Sequence, residues 1–69
     1  MDRAELTKQL IGLNESPLMN LSEIARLCRT SRQRAADMMR GCRCEIRGRG
    51  KYFFAADVAE QMLKRMELY

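Results

Sequence analysis

The sequence contains no histidine, which is the commonest general base and the commonest metal ligand in proteins. Without it, no serine, threonine or cysteine of the chain has a plausible base to activate it as a nucleophile. We therefore predict no catalytic residues, no cofactor and no enzymatic activity.

Cysteine is present only at Cys28, Cys42 and Cys44. An odd number of cysteines, in a chain that begins without a secretory pattern, argues against a disulfide framework. The spacing of Cys42 and Cys44 differs from that of a zinc knuckle, and Cys28 is the one further thiol ligand. We therefore predict no metal site.

Long apolar runs are also missing, and Met1–Glu5 lacks the apolar stretch of a secretory signal. We expect no membrane partner and a cytoplasmic location. The length of 69 residues suffices for one domain over 1–69. Since so small a domain buries only ~60% of its unfolded surface, we expect nearly every apolar residue to serve one core.

Positive charge is concentrated in the central third of the chain. Residues 29–51 contain eight basic and two acidic side chains, whereas residues 1–28 and residues 52–69 each have a net charge of −1. Such a block is typical of a face that binds a polyanion. The plain alternative is a solvated surface without a ligand.

Three helices are predicted before residue 42. The first covers residues 2–11, with Gly12 suited to the left-handed position after a helix end. Asn20 and Glu23 have the spacing of a capping box for the second, and Ser31 can cap a third that runs to about Arg40. Gly41 then ends it. The predicted inward residues of these helices are Leu6, Leu10, Leu21, Ile24, Ala25, Cys28, Ala35, Met38 and Met39.

A hairpin and a last helix follow. Residues 44–47 and 51–54 have strand character, and Gly48-Arg49-Gly50 has the composition and length of a hairpin connection, so the hairpin is predicted over 44–54. A helix is predicted over 55–68, with an apolar stripe made by Val58, Ala59, Met62, Leu63 and Met66. The predicted fold class is therefore mainly α with a small β-hairpin, in the order helix, helix, helix, strand, strand, helix.

The segment 20–40 resembles a helix-turn-helix, most clearly over residues 21–39. Small Ala25 stands where two helices cross closely, a turn follows at Arg29-Thr30, and Ser31 begins the next helix. The usual pattern has glycine where Arg29 stands. Either the turn differs here, or the protein tolerates a left-handed arginine at a cost of about 1–2 kcal/mol.

The stretch 47–58, a basic hairpin followed by an aromatic strand and an Ala-Asp-Val-Ala helix, is similar to the excisionase and MerR-like winged helix-turn-helix proteins. It is also similar to the DNA-binding domain of phage terminase small subunits. The match covers about residues 18–66. It implies a winged helix-turn-helix that binds double-stranded DNA sequence-specifically, as a small transcriptional regulator or an excisionase-like recombination factor, or alternatively in phage DNA packaging.

The resemblance also implies which residues contact DNA. Outer residues of the third helix would meet bases or phosphates, since arginine can bond guanine, and glutamine adenine, at two points. Basic residues beside the hairpin turn would enter the minor groove or grip the backbone. Solvated surfaces are the plain alternative for both sets. The predicted DNA-binding residues are Ser31, Arg32, Gln33, Arg34, Asp37, Arg40, Arg47, Arg49 and Lys51.

Two other classes of function stay open at this point. Tyr52, Phe53 and Phe54 could stack on the bases of single-stranded RNA, although core positions are expected for aromatics in so small a domain. Alternatively, the basic face could bind an acidic protein. For DNA binding, a module of this size buries limited surface, so we expect a homodimer or cooperative neighbours on DNA.

Overall fold

The computed structural model describes the backbone of residues 2–66 and the side chains of residues 2–65. These residues form four helices and a small three-stranded antiparallel sheet. The predicted mainly helical class is confirmed. In chain order the elements are α1 (Arg3–Asn14), β1 (Leu18–Met19), α2 (Leu21–Cys28), α3 (Arg32–Met38), β2 (Glu45–Arg47), β3 (Gly50–Phe54) and α4 (Ala55–Met66).

The predicted element order was wrong because it lacked β1. This two-residue strand pairs antiparallel with β3, placing Leu18 opposite Phe54 and Met19 opposite Phe53. The sheet order is β1-β3-β2, so β3 is the central strand rather than half of an isolated hairpin. A strand of two residues is too short to show a periodic pattern in the sequence, and it is defined by its pairing with a strand far away in sequence.

The first helix was predicted to end at Ile11, and this was wrong because α1 continues to Asn14. Gly12 lies inside the helix, and Glu15 takes the left-handed conformation after it, with a φ of 60°. The Asn14 side-chain amide donates to the Leu18 carbonyl at 3.0 Å, which ties the end of α1 to β1. The start agrees with the prediction: Asp2 caps the helix by accepting from the Glu5 N–H at 2.8 Å.

One apolar core connects all four helices and the sheet. α1 packs on α4, and α2 packs on α3. Most predicted inward residues are buried, whereas Leu21, Cys28, Met62 and Leu63 are half-buried against the core. Phe53 is buried but Phe54 is exposed, because neighbouring strand residues point to opposite faces. The buried residues are Leu6, Leu10, Met19, Ile24, Ala25, Ala35, Met38, Met39, Phe53, Ala55, Val58 and Ala59.

Helices α3 and α4 begin at the predicted positions. Ser31 is the N-cap of α3, which ends at Met38, two residues before the predicted end. Gly41 has a φ of 85° in the turn that follows. The Ala55 N–H donates to the Pro17 carbonyl at 2.8 Å, so the first residue of α4 is attached beside β1. The predicted end of this helix at Leu68, and the inward side chain of Met66, lie outside the described part of the chain.

Within residues 2–66, no helix combines the length and the apolar character that a membrane crossing requires.

Candidate nucleic-acid interface

The connection between α2 and α3 is a tight turn built around a left-handed arginine. Arg29 has φ 52° and ψ 49°. Its N–H donates to the Arg26 carbonyl at 3.3 Å, and the Thr30 N–H donates to the Ala25 carbonyl at 2.9 Å. This is the Schellman pattern of helix ends, in which glycine is the usual left-handed residue. The turn therefore has the ordinary geometry, and the protein tolerates the strain of a side chain there.

Caps at both helix starts fix the direction of this helix pair. The Asn20 side chain accepts from the Glu23 N–H at 2.8 Å, and the Glu23 carboxylate accepts from the Asn20 N–H at 2.9 Å, which completes the predicted capping box. Ser31 Oγ accepts from the Arg34 N–H at 3.1 Å at the start of α3. The local sequence thus sets where each helix begins.

The outer face of α3 presents mostly polar, exposed side chains. Ala35 and Met38 of this helix are buried, so the opposite side of α3 is turned to solvent. Every predicted contact residue of this segment is exposed: Ser31, Arg32, Gln33, Arg34, Asp37 and Arg40.

Asp37 organises the second half of this face. Arg40 Nη2 donates to Asp37 Oδ1 at 2.7 Å, and Gln33 Nε2 donates to the same oxygen at 3.5 Å. An exposed ion pair of this kind contributes only ~0.2–1 kcal/mol to stability. Its effect is to hold Arg40, and more weakly Gln33, while Arg32 and Arg34 stay outside this network.

The β2–β3 hairpin is tighter than the sequence predicted. Arg47 pairs with Gly50, which leaves Gly48 and Arg49 as a two-residue turn. Gly48 has a φ of 59°, and the favoured two-residue hairpin turns need a positive φ at this first position. Arg49 and Lys51 project from the hairpin as exposed cations.

The start of α3 and the hairpin turn border the same cleft. Its lining residues are Asn20, Leu21, Ser22, Arg32, Arg49, Gly50 and Lys51, and they enclose about 380 Å³. We call this space the hairpin cleft. Among its lining side chains in the described part of the chain, three are cationic and none is acidic, so two elements distant in sequence jointly present positive charge there.

Ion pairing separates the central basic residues into two groups. Arg40, Arg43 and Arg47 have carboxylate partners. Arg43 is the most firmly held, since its Nε lies 3.1 Å from Asp57 Oδ2 and its guanidinium lies 4.8 Å from the centre of the Phe54 ring. Five other basic residues form no ion pair within residues 2–65, namely Arg29, Arg32, Arg34, Arg49 and Lys51.

The predicted contact residues do not all meet in one place. Arg32, Arg49 and Lys51 share the hairpin cleft. Arg34 lines a different cleft together with Arg29 and Arg65. Arg65 was not predicted because it lies in α4, outside the basic segment 29–51. Its proximity to Arg34 results from tertiary packing, which the sequence does not display.

The three thiols are free of disulfide bonds. Burial raises the pKa of the Cys28 thiol, and nearby Arg65 opposes this shift. Burial also raises the pKa of the Cys42 thiol, and Asp57 and Glu60 add to the rise while Lys64 opposes it. Both thiols are therefore protonated and weakly nucleophilic near neutral pH. Among the described residues, no three His, Cys, Asp or Glu side chains are grouped closely enough to hold a metal ion.

Comparisons with protein-family models, with curated protein sequences and with solved structures found no match to this chain. A functional proposal therefore depends on the chemistry and geometry of the chain itself.

Proposed function

We propose that this protein binds double-stranded DNA as a winged helix-turn-helix. In this proposal α3 enters the major groove, and the β2–β3 hairpin acts as the wing on the adjacent minor groove or backbone. One observation supports it above all others: Arg32 from α3 and Arg49 and Lys51 from the hairpin border one cleft, and no acidic side chain of residues 2–65 lines it.

The outer face of α3 suits a DNA groove in size and chemistry. A helix with its side chains is about 10–12 Å across, close to the ~12 Å width of the major groove. Arg32, at the start of the helix, can bond guanine at two points, for ~1–3 kcal/mol of discrimination. Asp37 holds Arg40 and Gln33, so in this proposal it orients neighbouring side chains rather than contacting phosphates.

The hairpin would supply affinity more than sequence preference. Arg49 at the turn can enter the minor groove, where a narrow groove has enhanced negative potential. Lys51 and Arg49 would also displace the counterions that surround the phosphates, which strengthens binding at low salt. Since few side chains line the cleft, we expect useful affinity to require a homodimer or cooperative neighbours on DNA.

For the biological role we propose a transcriptional regulator or an excisionase-like recombination factor, with phage DNA packaging as the alternative. An excisionase-like factor would bend its DNA. Electrophoresis of fragments that carry the selected site at permuted positions measures this bending, and straight DNA in the complex would favour a regulator.

The aromatic side chains give the RNA-binding alternative less support than the cationic cleft gives to duplex DNA binding. Phe53 is buried, and the Arg43 guanidinium covers the Phe54 ring. Half-buried Tyr52 and the uncovered part of exposed Phe54 would remain as the stacking surface on β3. Competition between duplex DNA and single-stranded RNA tests this choice, and a preference for the RNA would contradict the proposal.

The proposal is tested by selecting binding sites from random duplex DNA and then measuring affinities for the best site. We expect Arg32→Ala to weaken binding by about 1–3 kcal/mol and to relax the preferred sequence. Arg49→Ala should weaken binding to all duplexes alike, because a phosphate or minor-groove contact has little sequence content. Lys8→Ala removes an exposed cation of α1 and is the matched control, which should bind as the parent does.

Two outcomes would overturn this division of roles. If Arg32→Ala changes neither affinity nor preference while Arg49→Ala abolishes binding, the hairpin and not α3 is the main reader. If the selection enriches no sequence and all three variants bind equally, the protein does not recognise DNA through this cleft.

A further inference from the structure

A second cleft lies between the α2–α3 turn and α4. Its floor is apolar and includes Leu27 and Met62, both half-buried, and Met38, which is buried. Arg29, Arg34 and Arg65 stand around it, and the enclosed space is about 390 Å³. We call this space the α4 cleft. It is large enough to accept apolar side chains of a partner.

The surrounding charge is of one sign. Among residues 2–65, no acidic side chain lines the α4 cleft. None of its three arginines forms an ion pair with a carboxylate of residues 2–65. An apolar floor inside a ring of unpaired guanidinium groups is complementary to an apolar side chain flanked by carboxylates, since arginine bonds carboxylate at two points.

Arg29 places a side chain beside this cleft at a backbone position that favours glycine. It occupies the left-handed position of the turn, with a φ of 52°, where glycine would avoid strain. Backbone strain that persists in a native structure is found preferentially at binding and switch sites. Glu15 has the same conformation after α1, so the strain alone does not mark a site; at Arg29 it means that a guanidinium group stands beside the cleft where glycine would leave none.

We propose that the α4 cleft binds an acidic segment of another protein. In this complex one large apolar side chain of the segment lies on Leu27, Met38 and Met62. Carboxylates on either side of it pair with Arg29, Arg34 and Arg65. DNA fits this cleft less well, because phosphates gain nothing from a floor of leucine and methionine. The inference goes beyond duplex binding and uses none of the residues of the hairpin cleft.

The probe is a library of random linear peptides displayed on phage and selected on the immobilised full-length protein. We expect the enriched peptides to share a leucine, phenylalanine or methionine flanked by aspartate or glutamate. The best peptide is then synthesised, and its affinity for the protein is measured in solution. Enrichment of peptides without acidic residues, or no enrichment, would overturn the proposal.

Two neighbouring cations of α4 provide a matched pair of variants. Arg65→Glu should weaken binding of the selected peptide by at least about tenfold, because one charge-assisted contact becomes a repulsion. Lys64→Glu changes the charge by the same amount at an exposed residue that does not line the cleft, and it should reduce affinity far less. If both variants lose the same amount of peptide affinity, the effect comes from the net charge of the protein and not from a contact at Arg65, which would contradict the proposed site.

Two further measurements separate this occupant from the others. Sedimentation of the protein alone tests whether a second copy of this chain occupies the cleft. If the protein self-associates and Arg65→Glu abolishes the association, the occupant is a copy of this chain and not an acidic partner. Duplex affinity tests for DNA. Arg65→Glu should weaken duplex binding less than Arg32→Ala does, and the reverse ranking would assign the α4 cleft to DNA. The peptide and sedimentation results do not depend on whether the hairpin cleft binds DNA, so they can fail or succeed separately from the proposed function.

Discussion

The hairpin cleft and the α4 cleft have the same charge but different floors. Within the described side chains, each is lined by three cations and by no acidic residue. Besides its cations, the hairpin cleft is lined by Asn20, Leu21, Ser22 and Gly50, of which only Leu21 has an apolar side chain, whereas Leu27, Met38 and Met62 line the α4 cleft. Positive charge by itself selects only for an anion, so the floor determines which class of anionic partner each cleft suits.

The two clefts also share one support, the packing of α2 against α3. Residues of this helix pair line both of them: Arg32 borders the hairpin cleft, and Arg34, two residues further, borders the α4 cleft. Positions two apart on a helix point away from each other, so a short helix can present different arginines to different partners. The following predictions test this division, beginning with the largest expected effect.

Ile24→Ala should remove both sites together. Ile24 is completely buried in α2, and truncating a buried isoleucine to alanine costs about 2–5 kcal/mol. This is a large part of the stability of a domain of this size. Thermal unfolding followed by circular dichroism measures the loss, and Ile46→Ala is the matched control because its side chain is 68% exposed. A loss of one binding activity at unchanged stability would show that the clefts do not share this support.

Arg29→Gly should separate stability from binding at the α4 cleft. Glycine removes the left-handed strain of about 1–2 kcal/mol but adds about 0.5–1 kcal/mol of chain entropy to the cost of folding. We therefore expect a net gain of up to about 1.5 kcal/mol, which raises the Tm by several degrees, together with weaker binding of the acidic peptide. A more stable variant that binds the peptide as tightly as before would remove Arg29 from the site.

The sequence contained enough local information to predict α2, α3 and the hairpin. Asn20, Glu23 and Ser31 specify helix starts through contacts that span three residues, and such contacts are visible in the sequence. β1 could not be predicted in this way, because its existence depends on Phe53 and Phe54, far along the chain. The end of α1 was missed for a related reason, since the Asn14 amide bonds a carbonyl of that same strand.

The candidate site was predictable only as a segment of charge. The sequence placed the excess cations in residues 29–51, but it did not indicate which of them are already paired. Arg43 is held by Asp57 and Phe54, and Arg34 is grouped with Arg65 of α4. These relations depend on tertiary packing, and they decide which cations remain available to a ligand.

Asp37→Ala tests how ion pairing limits the number of cations on and just after α3 that are available to DNA. The change releases Arg40 and removes the one acidic side chain of the helix. We expect duplex affinity to rise, because another cation becomes available to phosphates, while sequence preference falls. Stability should change by less than about 1 kcal/mol, since the pair is exposed. Affinities for the selected duplex and for random duplexes provide the measurement, and weaker binding to both would assign Asp37 a direct contact.

The smallest expected effect concerns the cysteines, whose different surroundings should give different rates of thiol alkylation. We expect exposed Cys44 to react with iodoacetamide first. Burial raises the pKa of Cys28 and of Cys42, so their thiolates form only at more alkaline pH and their alkylation accelerates there. The acidic peptide should protect Cys28, which lines the α4 cleft, and leave Cys44 unprotected. Mass spectrometry of the labelled peptides measures each rate, and protection of Cys44 alone would locate the peptide elsewhere.

The salt dependence of duplex binding tests most directly whether the hairpin cleft is a DNA interface. The slope of log K against log salt concentration should fall in magnitude by about 0.9 for each phosphate that the protein no longer neutralises. We predict that Arg49→Ala and Lys51→Ala each reduce the slope by about this amount, and that the double variant reduces it by about twice as much. Lys8→Ala should leave the slope unchanged. A slope unchanged in the double variant, or reduced equally by Lys8→Ala, would contradict a DNA interface at the hairpin cleft.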